Sequence, residues 1–164
     1  MGKSHRLFSL SFIDKTSLNL ARVALAALIS MMALVTIEVL IRKLFGISTK
    51  IAHDFAGFFL VALIFLGAAE TLRVGKHLRV SILRDRFSQK IKPAVEKLSY
   101  VICIIFVSIL LWASITLVVN SYEKGSLTES VVQVPEFIPE LIIPVGLFSL
   151  ILQLLAQFYR EFKV

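Results

Sequence analysis

The charged residues of this chain fall in clusters that leave four long apolar intervals. Residues 23–37, 55–69, 98–122 and 141–159 contain no Asp, Glu, Lys or Arg. Crossing a hydrocarbon layer of roughly 30 Å takes about 20 helical residues, and fewer where flanking Lys and Arg side chains reach back to the interface. Four membrane spans are therefore predicted, near 22–42, 54–73, 97–119 and 139–158. They are expected to be helices, because backbone in lipid must satisfy its own hydrogen bonds. A soluble helical bundle would carry a polar stripe on each helix at a period of 3.6 residues. The stretches ALAALISMMALV and YVICIIFVSILLWASITLVV carry none.

The segments between the intervals add local detail. Residues 18–44 read as one helix, with Thr16 or Ser17 as its cap and Gly46 just past its end, where a left-handed residue is favoured. The second span reads from about 52 to 72. Beyond it, Leu83, Phe87, Ile91 and Val95 recur every fourth residue with Arg84, Arg86, Lys90 and Lys92 between them. That is the pattern of an amphipathic segment lying in the membrane interface, at about 78–92. Pro93 suits the first turn of the third span. Trp112 lies within that span, Tyr100 and Tyr122 mark its two ends, and Pro135, Pro139 and Pro144 punctuate the entry to the fourth. The chain thus reads as a single membrane domain over 1–164, an all-α integral membrane protein with an interfacial segment between spans two and three. Asp14, Lys15 and Asn19 interrupt the N-terminal stretch before its first sustained apolar run, so the first span reads as an uncleaved signal anchor.

Composition supports this reading: 57% of residues are hydrophobic and mean hydropathy is +0.86, where soluble domains are about 45–50% apolar. The positive-inside rule then sets an orientation. Fourteen of the 18 Lys and Arg residues lie in the N-terminal segment, the 73–97 loop and the tail. The other two connections hold only Arg42, Lys43, Lys50 and Lys124. Both termini and the central loop are predicted to be cytoplasmic. A net charge of +7 would also suit nucleic acid, but the basic residues are distributed between spans as insertion requires, so no nucleic-acid partner is expected. Arg73, Lys76, Arg79, Arg84 and Arg86 are instead placed to meet phospholipid headgroups.

Ionisable residues within spans are the first candidates for function. Glu38 lies about one turn from the outer end of span one with Arg42 at i+4, and reads first as a structural ion pair and second as a proton or ion site. Glu70 pairs in the same way with Arg73 near the inner end of span two. His53 and His77 fall on opposite sides of the membrane, so they cannot both ligate one haem within a protomer. Cys103, the single cysteine, reads as a small apolar residue in a packed helix. No Ser-His-Asp pattern, phosphate-binding glycine loop or HExxH motif is present. Residue chemistry alone therefore points to a non-enzymatic four-span protein with no catalytic, substrate-binding or metal site and no cofactor.

The stretch EVLIRKLFGISTKIAHDFAGFFLVALIFLGAAETLRVGKHLRVSILRDRF resembles the small membrane subunit of tripartite ATP-independent periplasmic (TRAP) transporters. The matching features are Arg42 with Phe45-Gly46, then 65–69 (FLGAA), then Arg73, Gly75, His77, Arg79 and Val80. Pro135 and the run IPVG at 143–146 are similar to the family's last span. The chain departs from the family pattern at 51–54, where a Trp followed by acidic residues is usual. It also has Gly57 for a frequent Arg and Ser81 for a common Asp. The resemblance implies a multi-pass protein of the bacterial inner membrane that supports a large permease subunit. That subunit would take up an organic acid, driven by an ion gradient, from a periplasmic substrate-binding protein. Candidate subunit-interface or lipid-interface residues are Glu38, Arg42, Ala56, Gly57, Gly67, Ala68, Glu70, Arg73, His77 and Arg79, the small ones because they allow close helix approach. The competing expectation is a self-sufficient homodimeric exporter of the small multidrug type. That class needs a carboxylate near the middle of span one, and Glu38 lies near its end.

Overall fold

A computed structural model of the chain describes residues 2–47, 51–74, 92–128 and 132–163. They form α1 (Gly2–Phe45), α2 (Ile51–Arg73), α3 (Lys92–Lys124), a single turn α4 (Phe137–Glu140) and α5 (Ile142–Lys163). Four segments are long and apolar enough to cross a membrane: Phe12–Phe45, Asp54–Arg73, Lys97–Lys124 and Phe137–Arg160. The all-α, four-span architecture is thus as expected. No strand occurs among the described residues, which contain one isolated antiparallel bridge between Leu127 and Pro135. The expected interfacial segment at 78–92 lies outside the described residues, except for Lys92 at the start of α3.

The first helix is longer than its apolar run suggests. It begins at Gly2 and not at a cap near Thr16, and at a 1.5 Å rise its 44 residues extend about 66 Å. Residues 3–45 contain no Gly or Pro to stop it. Neither proposed capping residue is a cap. Thr16 Oγ1 donates back to the Phe12 carbonyl at 3.0 Å, a mid-helix pattern, and the Ser17 side chain is wholly buried against α5. The other end is as expected. Gly46 takes φ +68° and its N–H bonds the Arg42 carbonyl at 3.0 Å, closing the helix through a left-handed residue. Gly46→Ala is expected to cost about 1 kcal/mol from the positive φ alone. A thermal shift in detergent measures it, and an unchanged midpoint would mean this end is held by something else.

Two apolar clusters hold the helices. Ala24 and Ala27 of α1 meet Ala62 and Leu66 of α2, flanked by Leu20, Phe59, Leu63 and Ile142. Alanines dominate this seam because lipid offers no hydrophobic incentive for association, so close backbone approach has to supply the dispersion energy. The second cluster joins Leu72 of α2, Val107 of α3 and Leu147 and Leu154 of α5, with Phe65, Tyr100, Ile104 and Leu150 around it. Helices α2 and α5 therefore form the centre, and among the described residues α1 and α3 share no core cluster.

Within this centre α5 approaches α2 closely at Gly146. A Cβ built there would lie 2.4 Å from the Phe65 carbonyl oxygen and 2.7 Å from the Phe65 Cβ. Burial follows the same plan: 33% of the last span's apolar window is buried against 11% in α3, which leaves α3 the barest helix.

Candidate functional site

Polar side chains converge at one end of the bundle. Ser149, Gln153, Gln157 and Arg160 recur along α5 at intervals of four, four and three residues, so they share a helical face. Asp14 and Ser17, three apart on α1, face them. Arg160 Nη2 donates to Asp14 Oδ2 at 2.7 Å, and Gln153 Nε2 donates to Asp14 Oδ1 at 3.3 Å. The Ser17 hydroxyl donates to Gln153 Oε1 at 3.3 Å, and both of these side chains are fully buried. One turn further along, Gln157 Nε2 donates to the Leu72 carbonyl at 2.7 Å and reaches that of Arg73 at 3.4 Å. The Tyr100 hydroxyl donates to Gln157 Oε1 at 3.3 Å.

These contacts have a physical purpose. The last carbonyls of a helix lack intrahelical donors, and in or near lipid water does not replace them. Gln157 supplies a donor to the end of α2 from a different helix, and Tyr100 of α3 holds that amide in place. The knot thereby joins the N-terminal third of α1 and the first turns of α3 to the ends of α2 and α5. Beside it, Glu70 takes two hydrogen bonds from Arg73, at 2.7 Å from Nε and 2.6 Å from Nη2. Such bidentate carboxylate–guanidinium pairs are geometrically specific.

At the opposite end, Glu38 is buried at 8% exposure, and its Oε1 lies 3.5 Å from Arg42 Nη2. The Arg42 side chain is 63% exposed, so the pair points its cation outward and keeps its anion inside. Among the described residues Glu140 Oε2 is buried without a hydrogen-bond partner.

The remaining sequence candidates do not gather into one place. Gly57 is exposed, and nothing lies within 4 Å of a Cβ added there. Gly67, ten residues further along α2, points at the Ala24 Cβ of α1, which would lie 3.8 Å from an added Cβ. Ala56 and Ala68 are half-buried, and His77 and Arg79 lie outside the described residues. Sequence reasoning named Ser17 only as a possible cap and Asp14 only as a break in the N-terminal stretch, and it proposed none of Asp14, Ser17, Gln153, Gln157 and Arg160 as a site residue. The four-residue polar recurrence along α5 was the available signal for three of them; Asp14 and Ser17 have no comparable local signature. Among the described residues no three His, Cys, Asp or Glu side chains are grouped to hold a metal ion.

With this geometry in hand, comparison with known proteins gives one family. The model of the DctQ component of tripartite ATP-independent periplasmic transporters matches residues 31–164, from the middle of α1 to the end of the chain. Neither a curated protein nor a solved structure gives a match.

Proposed function

The chain belongs to the DctQ-component family of tripartite ATP-independent periplasmic transporters, as a small membrane subunit, and on that premise we propose that it acts as a scaffold and not as a conduit. In this reading it steadies a large permease subunit during ion-gradient-driven uptake of an organic acid delivered by a periplasmic binding protein. It performs no reaction of its own. One observation carries the scaffold reading: the two span-embedded amides of α5, Gln153 and Gln157, are spent on α1, α2 and α3 at a single end. A solute path needs polar groups distributed across the membrane and available to the solute. A scaffold needs its helices tied to each other and its outer surface left for neighbours.

The knot end gathers the N-terminal helix, the exit of α2, the entry of α3 and the C-terminal helix. By the distribution of Lys and Arg this end is cytoplasmic, in the inner membrane of a bacterium. Basic residues there meet anionic phospholipid headgroups.

The interface reading is tested on α2. Gly57→Leu adds bulk in open space, so the isolated subunit should fold normally while the complex with the large subunit weakens. Bulk at Gly67 or Ala68 should also lower co-purification, but Gly67→Phe would additionally press on Ala24 and loosen α1 from α2. Pull-down of the large subunit, with solute uptake into proteoliposomes, measures the effect; full assembly and uptake in all three variants would remove α2 from the interface. The same purification addresses the homodimeric exporter. A transport-competent dimer with no large partner would overturn the scaffold reading.

A further inference from the structure

The connection from α3 to α4 is a built element. At the end of α3, Gly125 takes φ +60°, its N–H bonds the Tyr122 carbonyl at 3.2 Å, and the Ser126 N–H bonds the Ser121 carbonyl at 3.1 Å. This double closure turns the chain back on the helix end. Two short arms then face each other. The Thr128 N–H donates to the Val134 carbonyl at 2.9 Å, and the Glu136 N–H donates to the Ser126 carbonyl at 3.0 Å. The Thr128 hydroxyl donates to the Val132 carbonyl at 3.2 Å and accepts the Val134 N–H at 3.0 Å.

The side chains on these arms are unusual for a loop in water. Leu127 and Val132 on the arms are exposed, as are Ile138 and Leu141 just beyond them and Tyr122 at the end of α3. The Tyr122 ring meets the Phe137 ring edge-on, with centroids 5.4 Å apart. Tyr122 ends the charge-free run of α3, so this contact holds the returning arm at the depth where the span leaves hydrocarbon. From there Ile138, Leu141, Val145 and Phe148, all exposed, recur at intervals of three, four and three residues down α4 and α5. The apolar surface of the arms is therefore continuous with the surface of the last span. Glu123 and Lys124, both exposed, sit where headgroups would be.

We propose that the paired arms at 125–128 and 132–136 lie in the lipid interface at the Glu38 end of the bundle, with Leu127 and Ile138 against phospholipid acyl chains. Non-helical backbone near the hydrocarbon needs its polar groups satisfied; the N–H groups of Ser126, Thr128, Val134 and Glu136 are bonded within this connection, and groups on the outer side of the arms can meet interfacial water. The arms then act as a float that fixes how deep α3 and α5 sit. The proposal does not depend on the scaffold reading.

Brominated lipid provides the test. In a Trp112→Phe background, Leu127→Trp is reconstituted as the full chain into phosphatidylcholine vesicles, with and without lipid dibrominated near the headgroup or near the chain ends. Shallow bromines should remove most of the emission and deep bromines less, while aqueous iodide should quench far less than it quenches free tryptophan amide. The native Trp112, 74% exposed within α3, supplies the reference for a deep position. Strong iodide quenching with no bromolipid effect would overturn the proposal. So would bromolipid quenching that disappears when the large subunit is co-reconstituted, which would assign the face to protein. Should Leu127→Trp not elute as a monodisperse species, Ile138→Trp reads the same surface from α4.

Discussion

Gly146→Ala should be the most damaging single methyl group in this protein. The added Cβ would lie 2.4 Å from the Phe65 carbonyl oxygen and 2.6 Å from its carbonyl carbon, distances that real side chains do not adopt. The obstructing atoms are backbone of α2, so no rotamer change relieves the clash, and α2 and α5 have to separate. Overpacking of a core typically costs about 1–3 kcal/mol, and this site belongs at the upper end because a whole helix has to move. Separation would also strain the second apolar cluster, which unites α2, α3 and α5 through Leu72, Val107, Leu147 and Leu154. The two glycines of α2 serve as controls. Gly67→Ala should be tolerated, since its Cβ would sit at an ordinary 3.8 Å from Ala24, and Gly57→Ala has open space. Gly57→Ala could gain up to about 1 kcal/mol from helix propensity. Thermal denaturation in detergent, followed by size exclusion, ranks the three. A Gly146→Ala protein as stable as the parent would refute the close approach of α2 and α5.

The second large effect is expected from Gln153→Leu. This near-isosteric change preserves volume but removes an amide that is fully buried and used at both ends. The Ser17 hydroxyl loses its acceptor, and Asp14 loses one of two donors while keeping Arg160. Leaving buried polar groups unmatched costs about 1–3 kcal/mol. Ser17 can recover part of this by turning to a carbonyl of its own helix, which places the expectation near 2 kcal/mol. Adding Ser17→Ala should give back part of the loss, because removing both partners is cheaper than removing one. Arg160→Leu should matter less. Its side chain is 40% exposed and that of Asp14 25%, so solvent screens the pair, and ion pairs of this kind contribute about 1 kcal/mol or less. If Gln153→Leu and Arg160→Leu proved equally mild, this end of the bundle would be held by apolar packing and not by the polar knot.

Both variants bear on function through rigidity. A subunit that serves as a fixed wall requires its helices to move as one body. The barest helix, α3, is tied to the rest by apolar contacts with α2 and α5 and by Tyr100 at the knot. Loosening either anchor would lower the stability of the subunit before it altered any surface that a partner touches.

Much of this was legible in the chain. Four charge-free intervals, the shorter ones completed by flanking residues whose charged heads reach the interface, place four helices, since a charged side chain in hydrocarbon carries a cost that composition reveals directly. Gly46 announced a left-handed helix end, and the pairs Glu38–Arg42 and Glu70–Arg73 followed from i+4 and i+3 spacing alone. The order of short motifs from Arg42 to Val80 pointed to the family that the match over 31–164 shows.

What the tertiary structure decided is which face of each helix turns inward. In water, hydrophobic periodicity identifies that face; in lipid the outward face is as apolar as the inward one, so α1, α2 and α3 give no such stripe. Hence, of the small residues chosen along α2, Gly67 turns out to face Ala24 of α1 and Gly57 open space, while Gly146, which has no room for a Cβ, lies on α5. For the same reason Asp14 and Ser17 looked like ordinary residues of an N-terminal segment. Their partners, Gln153 and Arg160, lie more than 130 positions away, and only folding brings them within a hydrogen bond.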